Sequence, residues 1–305
     1  MNDRTTRILV TGAGGLIGNA ALTLLARQGH ATAGIGRRTP QFIPRFASWV
    51  NLDLASVQAP HALDSLPAFD VVVHCAAVVP RSFADDVSRA AGEINVIMDR
   101  TVIDYCIRKD ARLVYCSSSS VYGPVNGETV DEDHPLDEAA SCYSKAKILS
   151  ERLIRKQMES FAIMRICAPY GPTQTARTVL KLFIETAISG GVLHYHGSGS
   201  REQDFVHVRD LAVAVRSAVR CAHVTNTFNI AGGAPISMRN LALMVVETAG
   251  NPKASVQCSG ESDAQENYRG RFDIARAKQM LDWTPKVTLQ DGIREWAKCA
   301  SGRST

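Results

Sequence analysis

Residues 7–18 read Arg-Ile-Leu-Val-Thr-Gly-Ala-Gly-Gly-Leu-Ile-Gly and lead into an apolar, alanine-rich segment, Asn19 to Gln28. The run Ile8-Leu9-Val10 has the continuity of a buried parallel strand, and the segment beyond the glycines reads as an apolar helix. Strand, glycine turn and helix in that order begin a βαβ unit. Gly12, Gly15 and Gly18 allow a tight turn, close approach of backbone N–H groups to phosphate oxygens, and tight packing of helix on strand. The helix N-terminus adds the positive end of its dipole. A dinucleotide pyrophosphate is therefore expected at this turn, with Leu16 and Ile17 of the same turn beside it.

The rest of the chain suits such a start. Its 305 residues, 45% of them apolar, can bury a large core. A net charge of +4 is spread along the chain and gives no reason to expect nucleic acid. Eight cysteines, at 75, 106, 116, 142, 167, 221, 258 and 299, include no CxxC pair and read as buried thiols of a reducing cytoplasm. There is no apolar signal region before the first strand, and no apolar run approaches the ~18 residues of a membrane span. A soluble cytoplasmic protein without a membrane partner is expected.

Strand-like runs at Ile8–Val10, Ala31–Ile35, Trp49–Leu52, Val71–Val73, Leu113–Tyr115 and Ala162–Ile166 alternate with helical patterns. That alternation predicts an α/β fold built on a doubly wound parallel Rossmann sheet. The longest helical segments, Asp86–Lys109 and Ser141–Ser160, carry apolar positions on more than one face, which suits either packing on a second subunit or ordinary cover for the sheet. After Pro169 the rhythm breaks into shorter elements, as in a smaller C-terminal α/β lobe at the carboxyl ends of the strands. Val206–Val208 and Phe228–Ile230 are further strands flanking a helix at Arg209–Ala222.

Tyr143-Ser144-Lys145-Ala146-Lys147 places Tyr143 and Lys147 four residues apart, on one helix face. A lysine ammonium near a phenol favours the phenolate, which can exchange a proton with a sugar hydroxyl or carbonyl while hydride moves to or from nicotinamide. The spacing alone is weak. It gains weight from the serine run 117–120, which follows the strand Leu113-Val114-Tyr115 at the end where α/β sheets place their ligands.

On these motifs the chain resembles the extended short-chain dehydrogenase/reductase family, in its NAD(P)-dependent nucleotide-sugar epimerase/dehydratase branch. The resemblance runs through TGAGGLIG, Asp53-Leu54, HCAA at 74–77, SSSSVYG at 117–123, YSKAK, RICAPYGP at 165–172, GSGSREQDFVHVRDLA at 197–212, FNIAGG at 228–233 and the segment 273–296. It implies catalytic roles for Ser118, Tyr143 and Lys147, with Lys147 also on the nicotinamide ribose. It further implies that Asp53 and Leu54 contact adenine, and that Ala76 and Ala77 line the cofactor. The implied division is a Rossmann domain of residues 1–168 plus 206–231 and a nucleotide-sugar lobe of residues 169–205 plus 232–305. A homodimer through the two long helices is implied as well.

Several positions depart from the branch. NAD-dependent relatives end the second strand with an acidic residue, whereas Gly36-Arg37-Arg38 stands here. Two guanidiniums without a carboxylate favour NADP over NAD, although surface arginines would read the same way. The dehydratases carry Asp-Glu where Ser119 and Ser120 stand, and reductase-epimerases a cysteine at position 120, so neither specialised acid–base set is present. The arginine that commonly grips the diphosphate is replaced by Gln203, and the family asparagine of the later motif by Ala168. Arg201, two residues before Gln203, and Arg271 are substitute candidates, and Ser119 and the loop residue Arg81 complete the candidate substrate contacts. His194 and His196 flank Tyr195 without a carboxylate or cysteine at ligand spacing, so no metal is expected. His74 is read as a core residue.

The expected activity is epimerisation of a nucleotide-diphosphate sugar, at C4, by transient hydride transfer. The alternative is NADPH-dependent reduction of a nucleotide 4-keto sugar. Behind these stand a reductase of non-nucleotide ketones and a non-catalytic cofactor sensor, which the joint presence of Ser118, Tyr143 and Lys147 disfavours.

Overall fold

The apolar runs become strands, buried on both faces except for the run at Trp49–Leu52, which forms a partly exposed edge strand. The computed structural model describes residues 5–40, 43–45, 47–80, 89–139, 141–249 and 251–301. In chain order it contains β1 (Arg7–Thr11), α1 (Leu16–Arg27), β2 (Ala31–Gly36), β3 (Ala47–Asn51), α2 (Ala59–Asp64), β4 (Val71–His74), α3 (Arg89–Lys109), β5 (Arg112–Ser118), β6 (Asn126–Val130), α4 (Cys142–Gln157) and β7 (Phe161–Ile166). There follow β8 (Pro169–Tyr170), α5 (Val179–Ser189), β9 (Val192–Tyr195), β10 (Glu202–Gln203), β11 (Val206–His207), α6 (Val208–Arg220), β12 (Asn226–Ile230), β13 (Ile236–Ser237), α7 (Met238–Ala249), β14 (Ser255–Cys258), β15 (Arg269–Phe272), α8 (Ala275–Leu281) and α9 (Leu289–Ala300).

Seven strands form one parallel sheet in the order β12-β7-β5-β4-β1-β2-β3. The chain works outward from β1 to β3, then returns to start the other half at β4. The order therefore reverses between β1 and β4, the place where open α/β sheets bind ligands. Side chains alternate along each strand. Ile8, Val10, Val73 and Val114 pack towards α1 and α6, whereas Leu9, Val72, Leu113 and Tyr115 pack towards α3. Strands covered on both faces need apolar residues at nearly every position, which is why they read as continuous runs.

The expected strands and helices are present with ends shifted by up to three residues, and residues 86–88 of the helix expected at Asp86–Lys109 lie outside the described residues. One strand differs in its partner. β11, at the expected Val206–Val208, pairs with β8 in a separate two-stranded sheet, and β12 takes the seventh place in the main sheet. A second sheet, β13-β10-β15-β6, lies in the C-terminal half apart from β6, which comes from the chain between β5 and α4. α5, α7 and α9 share a further core around Tyr170, Phe183, Leu241 and Trp296. Ile94, Ile97 and Ile107 of α3 and Leu149 of α4 are exposed. No helix among the described residues is long and apolar enough to cross a membrane.

Candidate active site

The glycine turn sits at the strand-order reversal. Gly12 has φ of +61°, and a Cβ there would lie 2.6 Å from the Ala76 backbone nitrogen. A Cβ at Gly18 would lie 2.3 Å from the Gly12 carbonyl oxygen, and one at Gly15 3.2 Å from it. Gly12 and Gly18 are thus required by backbone packing. Gly15 is the N-cap of α1, with no side-chain cap and no acidic residue in the first turn. The free N–H groups of that turn and the positive dipole end are left for an anion, and this uncapped cradle fits a dinucleotide pyrophosphate. Leu16 and Ile17 are half-buried beside it. Across the cleft, Ala76 and Ala77 follow β4 and are half-buried, and the Ala76 N–H donates to Thr11 Oγ1 at 3.3 Å.

Arg37 and Arg38 are exposed just beyond β2. Trp49 was not singled out in the sequence, yet its indole lies over the end of this strand. Cβ atoms at Gly34 and Gly36 would stand 2.9 and 2.7 Å from it, and one at Gly14 3.8 Å from it. The alternating glycines of β2 are the signal that could have revealed it. Asp53 is exposed and its Oδ1 accepts the Ala55 N–H at 3.0 Å, while Leu54 packs into the core.

Ser118 ends β5, and Tyr143 and Lys147 lie in the first half of α4. The helix begins at Ser141, whose Oγ accepts the Ser144 N–H at 3.2 Å. Ser144 Oγ donates to Ser120 Oγ at 2.9 Å, tying the start of α4 to the turn after β5. Ser118 Oγ accepts the Ser120 N–H at 3.2 Å. Ser118 and Tyr143 are half-buried, and Lys147 Nζ lies 6.0 Å from the Tyr143 ring centroid. Ser119 faces inward at 9% exposure, so Ser120 is the more accessible hydroxyl of that pair. Below this surface, Glu151 receives Ser117 Oγ at 2.6 Å and Arg165 Nη2 at 2.7 Å, and Arg165 Nη1 donates to Tyr122 at 2.9 Å. These buried contacts pin α4 to β5 and β7.

Lys147 is 1% exposed and donates to Tyr115 Oη at 3.0 Å. Tyr115 donates to Asp99 Oδ2 at 2.5 Å, and His74 Nε2 lies 2.8 Å from Asp99 Oδ1. His74 is thus a core residue, as expected, but a hydrogen-bonded one. Burial would push the Asp99 carboxyl up, but the Lys147 ammonium, His74 and the Tyr115 hydroxyl hold it down to about 2. Burial would push the Lys147 ammonium down, and Asp99 with Tyr143 outweighs it, so its pKa is raised. Neither Asp99 nor Tyr115 was singled out in the sequence.

Of the two candidate arginines for the substrate, Arg271 lies on β15 of the second sheet and Arg201 just before β10. Arg201 Nε lies 2.9 Å from Asp263 Oδ2, and its Nη1 donates to Gln265 at 3.1 Å. Arg271 Nη2 donates to Glu202 at 2.9 Å. Both guanidiniums already have acidic partners. Ala168 has φ of +21° at the end of β7, the only non-glycine residue with positive φ beside the cleft among the described residues. Arg81 lies outside the described residues. His196 Nδ1 pairs with Ser259 Oγ at 2.8 Å, and no cluster among the described residues could hold a metal ion.

The model of a family described as the NAD dependent epimerase/dehydratase family matches residues 8–231, more than half of the chain. The chain is 27% identical to the UDP-glucose 4-epimerase of Mycolicibacterium smegmatis, over 94% of this chain and 96% of that protein. It is 25% identical to the dTDP-4-dehydro-6-deoxyglucose reductase of Escherichia coli, over 98% of each. Its fold is similar to that of the UDP-glucuronic acid 4-epimerase from Bacillus cereus, solved in complex with UDP-glucuronic acid and NAD. The TM-score there is 0.83 at 22% identity, covering 98% of this chain and 100% of the other.

Proposed function

Because the chain belongs to the NAD dependent epimerase/dehydratase family, we propose that it epimerises a nucleotide-diphosphate sugar at C4, with Ser118, Tyr143 and Lys147 as its acid–base set. The observation that carries this reading is the convergence of three elements. Ser118 ends β5; α4, which carries Tyr143 and Lys147, is tied to the turn after that strand; and the uncapped turn of Gly12, Gly15 and Gly18 follows β1, two strands away at the same end of the parallel sheet.

Gly12, Gly15, Leu16, Ile17 and Gly18 would hold the pyrophosphate, Arg37, Arg38, Asp53 and Leu54 the adenosine end, and Ala76, Ala77, Tyr143 and Lys147 the nicotinamide end. The nicotinamide, when bound, supplies a reversible hydride acceptor. Tyr143 takes the sugar hydroxyl proton as the carbon is oxidised and returns it as the carbon is reduced. Ser118 donates a hydrogen bond to the reacting oxygen, which stabilises charge building there. The Lys147 ammonium favours the phenolate of Tyr143. The keto sugar turns over between the two steps, so the configuration inverts without net redox change.

A second reading has its own support. Arg37 and Arg38, with no carboxylate beside them at the end of β2, suit the 2′-phosphate of NADP. Reductive chemistry draws on NADPH, so this pair favours a nucleotide 4-keto-sugar reductase in which Tyr143 donates the proton. In either case residues 1–168 plus 206–231 form the dinucleotide domain, and residues 169–205 plus 232–305, joined by β6, form the sugar lobe carrying Arg201 and Arg271. The exposed Ile94, Ile97 and Leu149 make α3 and α4 the homodimer face, and eight cysteines without a CxxC pair suit a reducing cytoplasm.

The test is to denature the purified protein, identify any nicotinamide nucleotide released, and follow UDP-, dTDP- and GDP-sugars by proton NMR. Retained cofactor and interconversion of C4 epimers support the epimerase. An empty protein that takes NADPH and reduces a 4-keto sugar supports the reductase. Tyr143→Phe should lower turnover by about 10²–10⁴-fold with dinucleotide binding intact, and wild-type protein inert towards every nucleotide sugar overturns both readings.

A further inference from the structure

A chain of buried polar groups runs beneath the site, from the glycine turn to the α4 lysine. Its directions follow from which groups can only accept. The Asp99 carboxylate accepts, so His74 Nε2 carries the proton towards it at 2.8 Å, and His74 Nδ1 shares a hydrogen bond with Thr11 Oγ1 at 2.6 Å. Thr11 in turn accepts the Ala76 N–H. On its other oxygen Asp99 receives Tyr115 at 2.5 Å and Ser150 at 2.7 Å. The Tyr115 hydroxyl, with its proton given to Asp99, accepts from Lys147 Nζ. Thr11, His74, Asp99, Tyr115, Lys147 and Ser150 are all 2% exposed or less. Every side-chain nitrogen and oxygen in this network has at least one hydrogen-bond partner.

A buried ammonium needs a counter-charge. The groups facing Lys147 are Tyr115 of β5, Tyr143 of its own helix, Cys116 of β5, Cys75 beyond β4, and Asp99 of α3. The Cys75 thiol is pushed well up by its bond with Cys116 and by burial, and burial does the same for the Tyr115 phenol. Asp99 is the one carboxylate among the described residues within ion-pair range of Lys147, at 4.0 Å. It is itself fixed from three sides, by His74 of β4, Tyr115 of β5 and Ser150 of α4.

We propose that Asp99 is a positioning residue that supplies the counter-charge for Lys147 and, through the Tyr115 hydroxyl, fixes its ammonium beneath Tyr143. The proposal rests on the reading of Tyr143 and Lys147 as the proton-transferring pair. Asp99 touches no substrate atom. It acts on the phenol through the lysine, and it joins that lysine to the strand that carries the glycine turn.

The test is an ultraviolet titration of Tyr143 in the full-length protein with its dinucleotide, isolated by subtracting the spectrum of Tyr143→Phe. In Asp99→Asn the loss of a nearby anion by itself favours the phenolate, but Lys147, without its counter-charge, is no longer held as an ammonium beneath Tyr143, and the Tyr143 midpoint should rise by about one pH unit or more, a tenfold loss of phenolate at neutral pH. With a nucleotide-sugar substrate, kcat should fall by a similar factor at unchanged KM, and the acid limb of the pH–rate profile should move up. Tyr115→Phe, which keeps the carboxylate and removes the bridge, should shift the midpoint in the same direction and decides the matter if Asp99→Asn does not fold. Ser150→Ala removes one bond to Asp99 but no charge, and should lower the melting temperature without moving the midpoint. A folded Asp99→Asn or Tyr115→Phe protein whose Tyr143 midpoint is unmoved or lower overturns the proposal. The titration needs no substrate, so a shift as expected in a protein inert towards nucleotide sugars would sink the proposed function and leave the role of Asp99 standing.

Discussion

Arg201 and Asp263 form an ion pair beside the second sheet, Nε to Oδ2 at 2.9 Å, with side chains only 18% and 11% exposed. The Nε is not aligned for a hydrogen bond, and Nη1 is turned to Gln265. A diphosphate bound by Arg201 would compete with Asp263 for the guanidinium. A charge-assisted hydrogen bond is worth about 1.5–3 kcal/mol, so Arg201→Ala should raise the KM for a nucleotide sugar about 10- to 100-fold. Asp263→Asn removes the competitor and should lower it a few-fold. Isothermal titration with UDP reads the same effect without turnover. Unchanged nucleotide binding in Arg201→Ala would make the pair a strut of the lobe instead.

Gly18 and Gly15 differ in what surrounds them, and substitutions should differ accordingly. A methyl at Gly18 meets the Gly12 carbonyl at 2.3 Å, so the turn or α1 must shift. Overpacking of that kind costs about 1–3 kcal/mol and would move the N–H groups that hold the pyrophosphate. Gly18→Ala should therefore lose dinucleotide affinity and melt earlier. At Gly15 the same atom is 3.2 Å away, and Gly15→Ala should keep measurable binding. Equal behaviour of the two variants in a fluorescence titration with the dinucleotide would contradict the packing argument.

The sheet was legible because its central strands are covered on both sides and carry no polar alternation to confuse the pattern, as Val71-Val72-Val73 illustrates. The glycine turn was legible because its chemistry is local. β6 was not, since Asn126-Gly127-Glu128-Thr129-Val130 is mostly polar and gains its identity only by pairing with β15. The partners of the candidate arginines were hidden for the same reason: Asp263 and Glu202 are far from Arg201 and Arg271 in sequence. Asp99 read as one more charge on α3. Only the packing of α3 against α4 and β5 turns that position inward and makes it a partner of Lys147.

Arg37 and Arg38 make no ion pair among those resolved between described residues. If they receive the 2′-phosphate, Arg37→Ala with Arg38→Ala should reduce the ratio of NADPH to NADH affinity about tenfold or more, the loss of one charge-assisted bond or two. NADH affinity itself should change little. A ratio that does not move would assign the two guanidiniums to solvent and remove the main argument for the reductase.

Asp99 also makes an acid-stability prediction whose sign follows from its carboxyl being held to about 2, below the ordinary 3.8. The fold favours the ionised form, so the stabilisation is complete above the unfolded value and is lost as pH falls from about 4 towards 2. At roughly 1.4 kcal/mol per unit this amounts to about 2 kcal/mol. Asp204 works in the opposite sense: burial pushes its carboxyl up to about 6 against the N–H groups of Gly233 and Gly232. Its protonation in the fold adds stability as pH falls from about 6 to 4, which partly masks the loss at Asp99. Urea unfolding at pH 7 and pH 3 should therefore be compared between wild type and Asp99→Asn at each pH. The variant is expected to be less stable at pH 7, where Lys147 loses its counter-charge, and the gap should narrow by about 1 kcal/mol at pH 3, with the rest lost only as pH falls towards about 2 and below. A gap of the same size at both values would mean that Asp99 contributes packing and hydrogen bonds but no charge.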